Sequence, residues 1–333
     1  MIDKARFLYV EWLITFGCNF RCNYCFFGKE NLIKNAYMFR QRGPRVPHAP
    51  LEKKLFRLAR DMKLFDYADS LRNYPIEKWQ ALFAYLATFK RDLYLSFTGG
   101  EPMILEKPIV EILNAVYARF DKVVIRFDTN GSIVPKFEGL TPRADITFNV
   151  SYHPTEISRD KLVANLKRLS DKGRVLMVNR VFNHRELPQA LDEIRYFADL
   201  GYFMNFSPES FDISEYSEAE LETVAKLRAP SDVELPLFEQ TTGRRCDFPT
   251  FGFQLLPNGY AWIPPCDRKT ADIINKPSRI HKLLKPAAIA CPGKCVCLHQ
   301  YPWVNKGYDD MDILGAYVDR NIAWRKKQPV PVA

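Results

Sequence analysis

Phe7-Leu8-Tyr9-Val10-Glu11-Trp12-Leu13-Ile14-Thr15, then Phe16-Gly17, then Cys18-Asn19-Phe20-Arg21-Cys22-Asn23-Tyr24-Cys25 is the stretch on which the fold turns. The first nine residues read as a buried strand. The strand delivers three thiols within eight positions. Thiols that close together in the chain converge on one metal centre with little loss of chain entropy. Structural zinc sites and ordinary iron–sulfur sites take four protein ligands. Three local thiolates instead leave one iron of a [4Fe–4S] cluster open to a small molecule. A zinc site with its fourth ligand elsewhere is the competing reading at this point.

Outward from this stretch, strands and helices alternate. Asp92–Phe97 reads as a second strand, ending in Thr98-Gly99-Gly100-Glu101-Pro102. Paired glycines at a strand end let backbone approach a ligand closely, and Glu101 offers an acceptor for an ammonium group. Further strands are expected at Lys122–Phe127, Asp145–Val150, Arg174–Arg180 and Tyr202–Phe206. Helices are expected at Ile76–Phe89, Lys107–Phe120, Ser158–Lys172 and Leu187–Leu200. Six strands alternating with helices argue for parallel βαβ units, and so for an α/β fold. Chemistry in such barrels sits at the carboxyl ends of the strands. Residues 28–76 are longer than an ordinary connection. They hold a basic Pro-rich loop over 41–50 and an amphipathic pattern over Leu51–Leu71, with Leu51, Leu55, Leu58 and Met62 on one stripe. This insertion reads either as a lid or substrate-docking element or as a solvated decoration.

Ser207–Glu239 is a polar connector with a helix expected over Ser217–Leu227. Beyond it lie five more cysteines: Cys246, Cys266, Cys291, Cys295 and Cys297. Cys246 precedes, and Cys266 follows, a hairpin built on Phe251–Leu256, Pro257-Asn258-Gly259 and Tyr260–Ile263.

The Cys18-x-x-x-Cys22-x-x-Cys25 loop, its position after the first strand and the Gly99-Gly100-Glu101-Pro102 turn after the second resemble the radical S-adenosylmethionine (radical SAM) superfamily over roughly residues 6–210. The resemblance implies a partial (β/α)6 TIM-type barrel. It implies a [4Fe–4S] cluster on Cys18, Cys22 and Cys25 that binds S-adenosylmethionine, with reductive cleavage to a 5′-deoxyadenosyl radical. Gly99, Gly100 and Glu101 would meet the amino group of S-adenosylmethionine, with Glu101 or nearby carbonyls as acceptors, and Tyr24 its adenine, with a loop aromatic packed on the barrel rim as the alternative. Asn130 and Ser151, at the ends of strands three and four, would reach its ribose or carboxylate, with local turn hydrogen bonds as the alternative. Arg180 would pair with the carboxylate or make a structural ion pair. His153 and His184 are weak candidates for acid–base catalysis, and Glu209 and Asp212 for substrate contact. The carboxy-terminal cysteines resemble twitch or SPASM auxiliary-cluster extensions, more loosely. They imply one auxiliary [4Fe–4S] cluster on Cys246, Cys266 and Cys291, with the fourth ligand from Cys295 or Cys297; four-cysteine zinc is the alternative. The domains are then 1–210 (partial barrel, with the 28–76 insertion), 211–240 (connector) and 241–333 (β-hairpin and auxiliary cluster).

Composition narrows the partners. The chain has 333 residues, of which 47% are hydrophobic, so it can bury a large core. No apolar run is long enough to span a membrane, and no signal-peptide pattern precedes the first strand. The expectation is a cytoplasmic enzyme whose eight cysteines bind metal rather than pair in disulfides. A net charge of +9 favours anionic partners or serves solubility alone. The leading expectation is a peptide or anionic small-molecule substrate, with an external electron donor of flavodoxin or ferredoxin type. RNA modification is the alternative, although no RNA-binding module is visible. A non-enzymatic zinc-binding protein is the remote one.

Overall fold

The computed structural model describes residues 7–22, 25, 69–141, 145–182, 184–208, 217–220, 222, 243, 245–263, 267–290, 319 and 322–323. Strand β1 (Phe7–Thr15) is buried along its whole length. That suits a parallel strand covered on both faces. Leu8, Val10, Trp12 and Ile14 point one way, and Tyr9, Glu11, Leu13 and Thr15 the other. Trp12 identifies the first face as the helix-covered one. Its ring lies 4.6 Å from Trp79 and 5.7 Å from Phe83, both on helix α2 (Ile76–Ala87). Trp79, Leu82, Phe83 and Leu86 are the buried stripe of α2, at the spacing a helix needs to present one apolar face.

Strands β2 (Asp92–Gly99), β3 (Val123–Thr129), β4 (Ile146–Tyr152), β5 (Arg174–Phe182) and β6 (Met204–Pro208) follow. Each pairs in parallel with the strand before it, so six strands stand in sequence order. Helices α3 (Glu106–Tyr117), α4 (Arg159–Ser170) and α5 (Leu187–Asp199) form the β2–β3, β4–β5 and β5–β6 crossovers. Phe97, Phe127 and Phe148 of β2, β3 and β4 stack beneath them, with ring centroids 5.1 and 5.8 Å apart. The fold is α/β, with the strand order of a partial TIM-type barrel.

The carboxy-terminal strands are not set apart from this sheet. After β7 (Arg245–Cys246), β8 (Gly252–Leu255) pairs in parallel with β1, and Tyr9 lies opposite Gly252. Strands β9 (Tyr260–Ile263) and β10 (Asp267–Asp272) extend the edge by antiparallel pairing. The result is one nine-stranded sheet. The hairpin turn forms as expected, with Gly259 at φ 74° and its N–H donating to Leu256 O at 3.0 Å. A boundary at residue 241 therefore divides the sequence but not the sheet. The short strand β11 (Ile289–Ala290), which follows helix α6 (Ile280–Leu283), pairs with β7 in a separate two-stranded sheet.

One expected helix is corrected. Leu51–Leu71 cannot run unbroken to its end, because Asp69 is extended at φ −141°, ψ 119°. Asp69 caps a new helix, α1 (Ser70–Asn73), accepting from Leu71 N at 2.9 Å. It also bridges Thr15. The rest of that segment lies outside the described residues. The expected start of the connector helix is seen in a capping box. Ser217 Oγ accepts from Glu220 N at 3.3 Å, and the Glu220 carboxylate accepts from Ser217 N at 2.7 Å.

Trp12 ties β1 to α2 by packing and to α1 through Nε1, which donates to Ser70 Oγ at 3.0 Å. Trp12→Ala is expected to cost about 3–5 kcal/mol, read as a lower midpoint in urea denaturation.

Candidate functional site

Parallel strands share a carboxyl rim, and the cysteine loop, the Gly99-Gly100-Glu101 turn, Asn130 and His153 gather there. Thr15, the last residue of β1, is the hub. Its Oγ1 accepts from Gly17 N at 3.0 Å, and its carbonyl accepts from Gly100 N at 2.7 Å. Glu101 N then donates to Gly17 O at 2.8 Å. The two motif loops are thus joined backbone to backbone. A Cβ on Gly100 would sit 2.0 Å from Gly17 O, and one on Gly99, which has φ +120°, would sit 2.2 Å from Thr15 O. The paired glycines were expected to admit a ligand. In the structure they admit the chain's own backbone.

Glu101 is also employed differently from expectation. It is fully buried. Its carboxylate accepts from Met103 N at 2.9 Å, Thr129 Oγ1 at 2.8 Å and Asn130 N at 2.7 Å. It knots the end of β2 to the end of β3 and does not face outward as an acceptor for an ammonium group. Burial raises its pKa to about 7 against the pull of those hydrogen bonds.

Cys18 is exposed, Cys22 and Cys25 are half-buried, and none forms a disulfide. A turn joins the last two, with Cys25 N donating to Cys22 O at 3.2 Å. Side chains from the strand ends hold the loop. Asn130 Nδ2 donates to Asn19 Oδ1 at 2.9 Å and lies 3.6 Å from Cys18 Sγ. Ser132 Oγ accepts from Asn19 Nδ2 at 2.8 Å. His153 Nδ1 lies 3.3 Å from Cys22 Sγ. The His153 ring also meets the Phe20 ring edge-on, at 5.8 Å and 85°. Burial, and then the Arg180 charge, push His153 down to about 4. The Cys18 thiol is pushed up, chiefly by burial.

Arg180 lies on the helix-covered face. Alternation along β5 turns it toward α5, where its Nε meets Glu193 at 2.8 Å and an NH2 group meets Glu186 at 3.0 Å. Of its two expected roles, the structural ion pair is the one that the geometry displays. Ser151 takes the opposite face near the end of β4, in register with Asn179. His184 opens the one-turn 3-10 helix after β5. Cys246 is buried in β7, opposite Ile289. Tyr24, Glu209, Asp212, Cys266, Cys291, Cys295 and Cys297 lie outside the described residues.

Sequence reasoning missed a polar row on the sheet face away from the helices. Arg126, fully buried in β3, donates to Ser96 Oγ at 2.8 Å, Tyr9 OH at 3.2 Å and Asp128 Oδ2 at 3.2 Å. Asp128 accepts from Asn149 Nδ2 at 2.7 Å, Asn149 in turn from Asn179, and Asn179 from Asn205 at 2.8 Å. On the other side, Gln254 Nε2 donates to Glu11 at 2.9 Å and Gln254 Oε1 accepts from Trp262 Nε1 at 2.6 Å. Burial raises Glu11 to about 7, with Arg126 opposing. The signal was present in the sequence as polar residues at alternate positions of otherwise apolar strands.

The donor set fits an iron–sulfur cluster. Thiolates are soft ligands suited to iron–sulfur centres and to zinc. Among the described residues, no three His, Cys, Asp or Glu side chains gather as tightly as one metal ion requires. A cluster asks less of them, because each cysteine binds a different iron.

No family model and no curated protein matches the chain. Solved structures do. One titled as native anSMEcpe with bound AdoMet is 12% identical, with a TM-score of 0.46, covering 96% of this chain and 97% of that one. Streptococcus suis SuiB is 12% identical, with a TM-score of 0.45, covering 84% of this chain and 66% of that one. BtrN, in complex with AdoMet and 2-DOIA, is 12% identical, with a TM-score of 0.28, covering 97% and 90%.

Two outcomes test the rim and the polar row. Gly100→Ala forces a methyl group into the Gly17 carbonyl and is expected to cost about 1–3 kcal/mol in chemical denaturation. Glu11 and Glu101 are raised from 4.5 to about 7, so the folded chain keeps protons that the unfolded chain has released. Their contribution is fully present below pH 4.5 and is lost as pH rises through about 7. Glu11→Gln removes one share of this. Its stability should fall less than wild type between about pH 5 and 8, by about 1–3 kcal/mol, in urea titrations at each pH.

Proposed function

We propose that the chain is a radical SAM enzyme acting on a peptide or an anionic small molecule. The observation that carries this reading is the cysteine loop itself. Cys18, Cys22 and Cys25 leave the carboxyl end of β1, and Asn130, His153 and the Gly99-Gly100 turn hold that loop to the rim. Cys18, Cys22 and Cys25 would hold a [4Fe–4S] cluster. With S-adenosylmethionine bound there, such a cluster would supply one-electron chemistry for reductive carbon–sulfur cleavage and hydrogen abstraction from a substrate carbon.

The chain's own residues do the positioning. The Gly99-Gly100 turn is fixed against the cysteine loop, and its carbonyls, the alternative to the Glu101 carboxylate, would be the acceptors for the amino group. Ser151 shares its sheet face with the polar row and stands at the rim, where a cofactor's ribose or carboxylate would lie. Below the rim, Asn149, Asn179 and Asn205 offer amide groups suited to a peptide backbone or a polyol, and Asp128, paired with the buried Arg126, anchors the end of that row. An overall charge of +9 suits an acidic peptide or a phosphorylated metabolite. Tyr24 is proposed for adenine contact.

An auxiliary [4Fe–4S] cluster is proposed on Cys246, Cys266 and Cys291, with Cys295 or Cys297 as the fourth ligand. Pairing of β7 with β11 supports it, because Arg245 lies opposite Ala290, the residue before Cys291. Four cysteine ligands favour electron transfer over substrate anchoring, with an external flavodoxin- or ferredoxin-type donor. Among the described residues, no helix is long and apolar enough to cross a membrane.

Replacing Cys18, Cys22 and Cys25 together by Ala is expected to abolish 5′-deoxyadenosine formation from S-adenosylmethionine under dithionite, measured by chromatography and mass spectrometry. Retained product would overturn the assignment. The same variant should keep about four irons per chain on the auxiliary cysteines.

A further inference from the structure

We infer that His153 is a positioning residue that sets the reduction potential of the cluster at Cys18, Cys22 and Cys25 by donating its Nδ1–H to the Cys22 sulfur. The inference rests on the radical SAM reading and goes beyond it in naming how the sheet acts on the cluster. The contact joins residues 131 apart in the chain, at 3.3 Å, so the fold and not local sequence brings it about.

Three constraints fix the imidazole. Its own carbonyl is the acceptor of a tight turn, taking Glu156 N at 2.9 Å and Ile157 N at 3.1 Å. Tyr152, just before it, is anchored on the helix-covered face, with its ring 5.5 Å from Phe197 of α5. Phe20, from within the cysteine loop, closes on the ring edge-on. The ring therefore enters the rim from β4 at a set angle and presents one nitrogen to one sulfur.

The physical effect has a definite sign. Reduction adds negative charge that is shared with the thiolate sulfurs. A hydrogen bond to such a sulfur stabilises the more negative state, and hydrogen bonds to cluster sulfurs are among the factors that set these potentials. The cluster with His153 in place is therefore easier to reduce than one without it. Asn130 acts in the same sense at Cys18. One N–H of its amide is taken by Asn19, and the other faces the sulfur at 3.6 Å. The longer contact gives it the smaller share. This role differs from acid–base catalysis, because Nδ1 is engaged with a cluster-ligand sulfur and not with a substrate atom.

The test is a potentiometric titration of the anaerobically reconstituted full chain, followed by the electron paramagnetic resonance signal of the reduced cluster at Cys18, Cys22 and Cys25. That signal is identified by its absence in the triple Cys→Ala variant. Wild type, His153→Phe and His153→Asn are compared at equal iron content. The Phe variant removes the donor and should shift the midpoint to more negative potential. Asn carries an N–H near the position of imidazole Nδ1 and should restore the midpoint toward wild type. His153→Leu repeats the comparison should the Phe variant not fold. An unshifted midpoint in the Phe or Leu variant, or an Asn variant that matches them, would overturn the inference while leaving the cluster reading intact. Wild type that takes up no iron at this site, or that binds zinc there and loses it on His153→Asn, would overturn both. In the zinc case His153 is itself a metal ligand.

Discussion

Two backbone hydrogen bonds hold the candidate site in place: Gly100 N to Thr15 O and Glu101 N to Gly17 O. They bring the exit of β1 against the exit of β2 more closely than any side chain at Gly99 or Gly100 permits. Without that approach, only side-chain contacts from Asn130, Ser132 and His153 would fix the direction of the cysteine loop. Glu101 continues the same seam to β3 through Thr129 and Asn130. Three strand ends are thereby tied into a single rim, and the loop with the three thiols rests on it.

The sheet beneath that rim keeps a strongly polar face. A buried guanidinium is costly unless its hydrogen bonds are met, and Arg126 meets that cost with Tyr9, Ser96 and Asp128. Its Nε has no partner among the described residues. Polar groups in so dry a setting interact strongly and hold fixed orientations. A row of this kind suits a face where a ligand is to be oriented, since it resists rearrangement when water is displaced.

Much of the architecture was legible in the sequence because parallel strands buried on both faces leave continuous apolar runs, as in Phe7–Thr15 and Asp92–Phe97. The helix expected over Ile76–Phe89 was equally plain, and the structure carries it over Ile76–Ala87 with Trp79, Leu82, Phe83 and Leu86 as its buried stripe. What escaped was direction. Arg180 ends an expected strand, and nothing in the run Arg174–Arg180 says which face it takes; Glu193, thirteen residues on, decides that. Glu101 carried a plausible ligand role because its three internal donors lie in a third segment and in its own turn. The hairpin at 251–263 was recognised, but its parallel pairing with β1 joins residues more than two hundred positions apart and leaves no local pattern. The break at Asp69 was hidden by an apolar periodicity that ran past it. The cysteine motif was the easiest feature to read, because its spacing is a property of the chain alone.

The bridge between Thr15 and Asp69 carries a consequence of its own. The chain departs from β1 and returns beside the point of departure, so everything between is a closed excursion whose two feet stand together. Loop-closure entropy grows only slowly with length. The stretch beyond Cys25 can therefore be lengthened, trimmed or exchanged with little strain on the sheet.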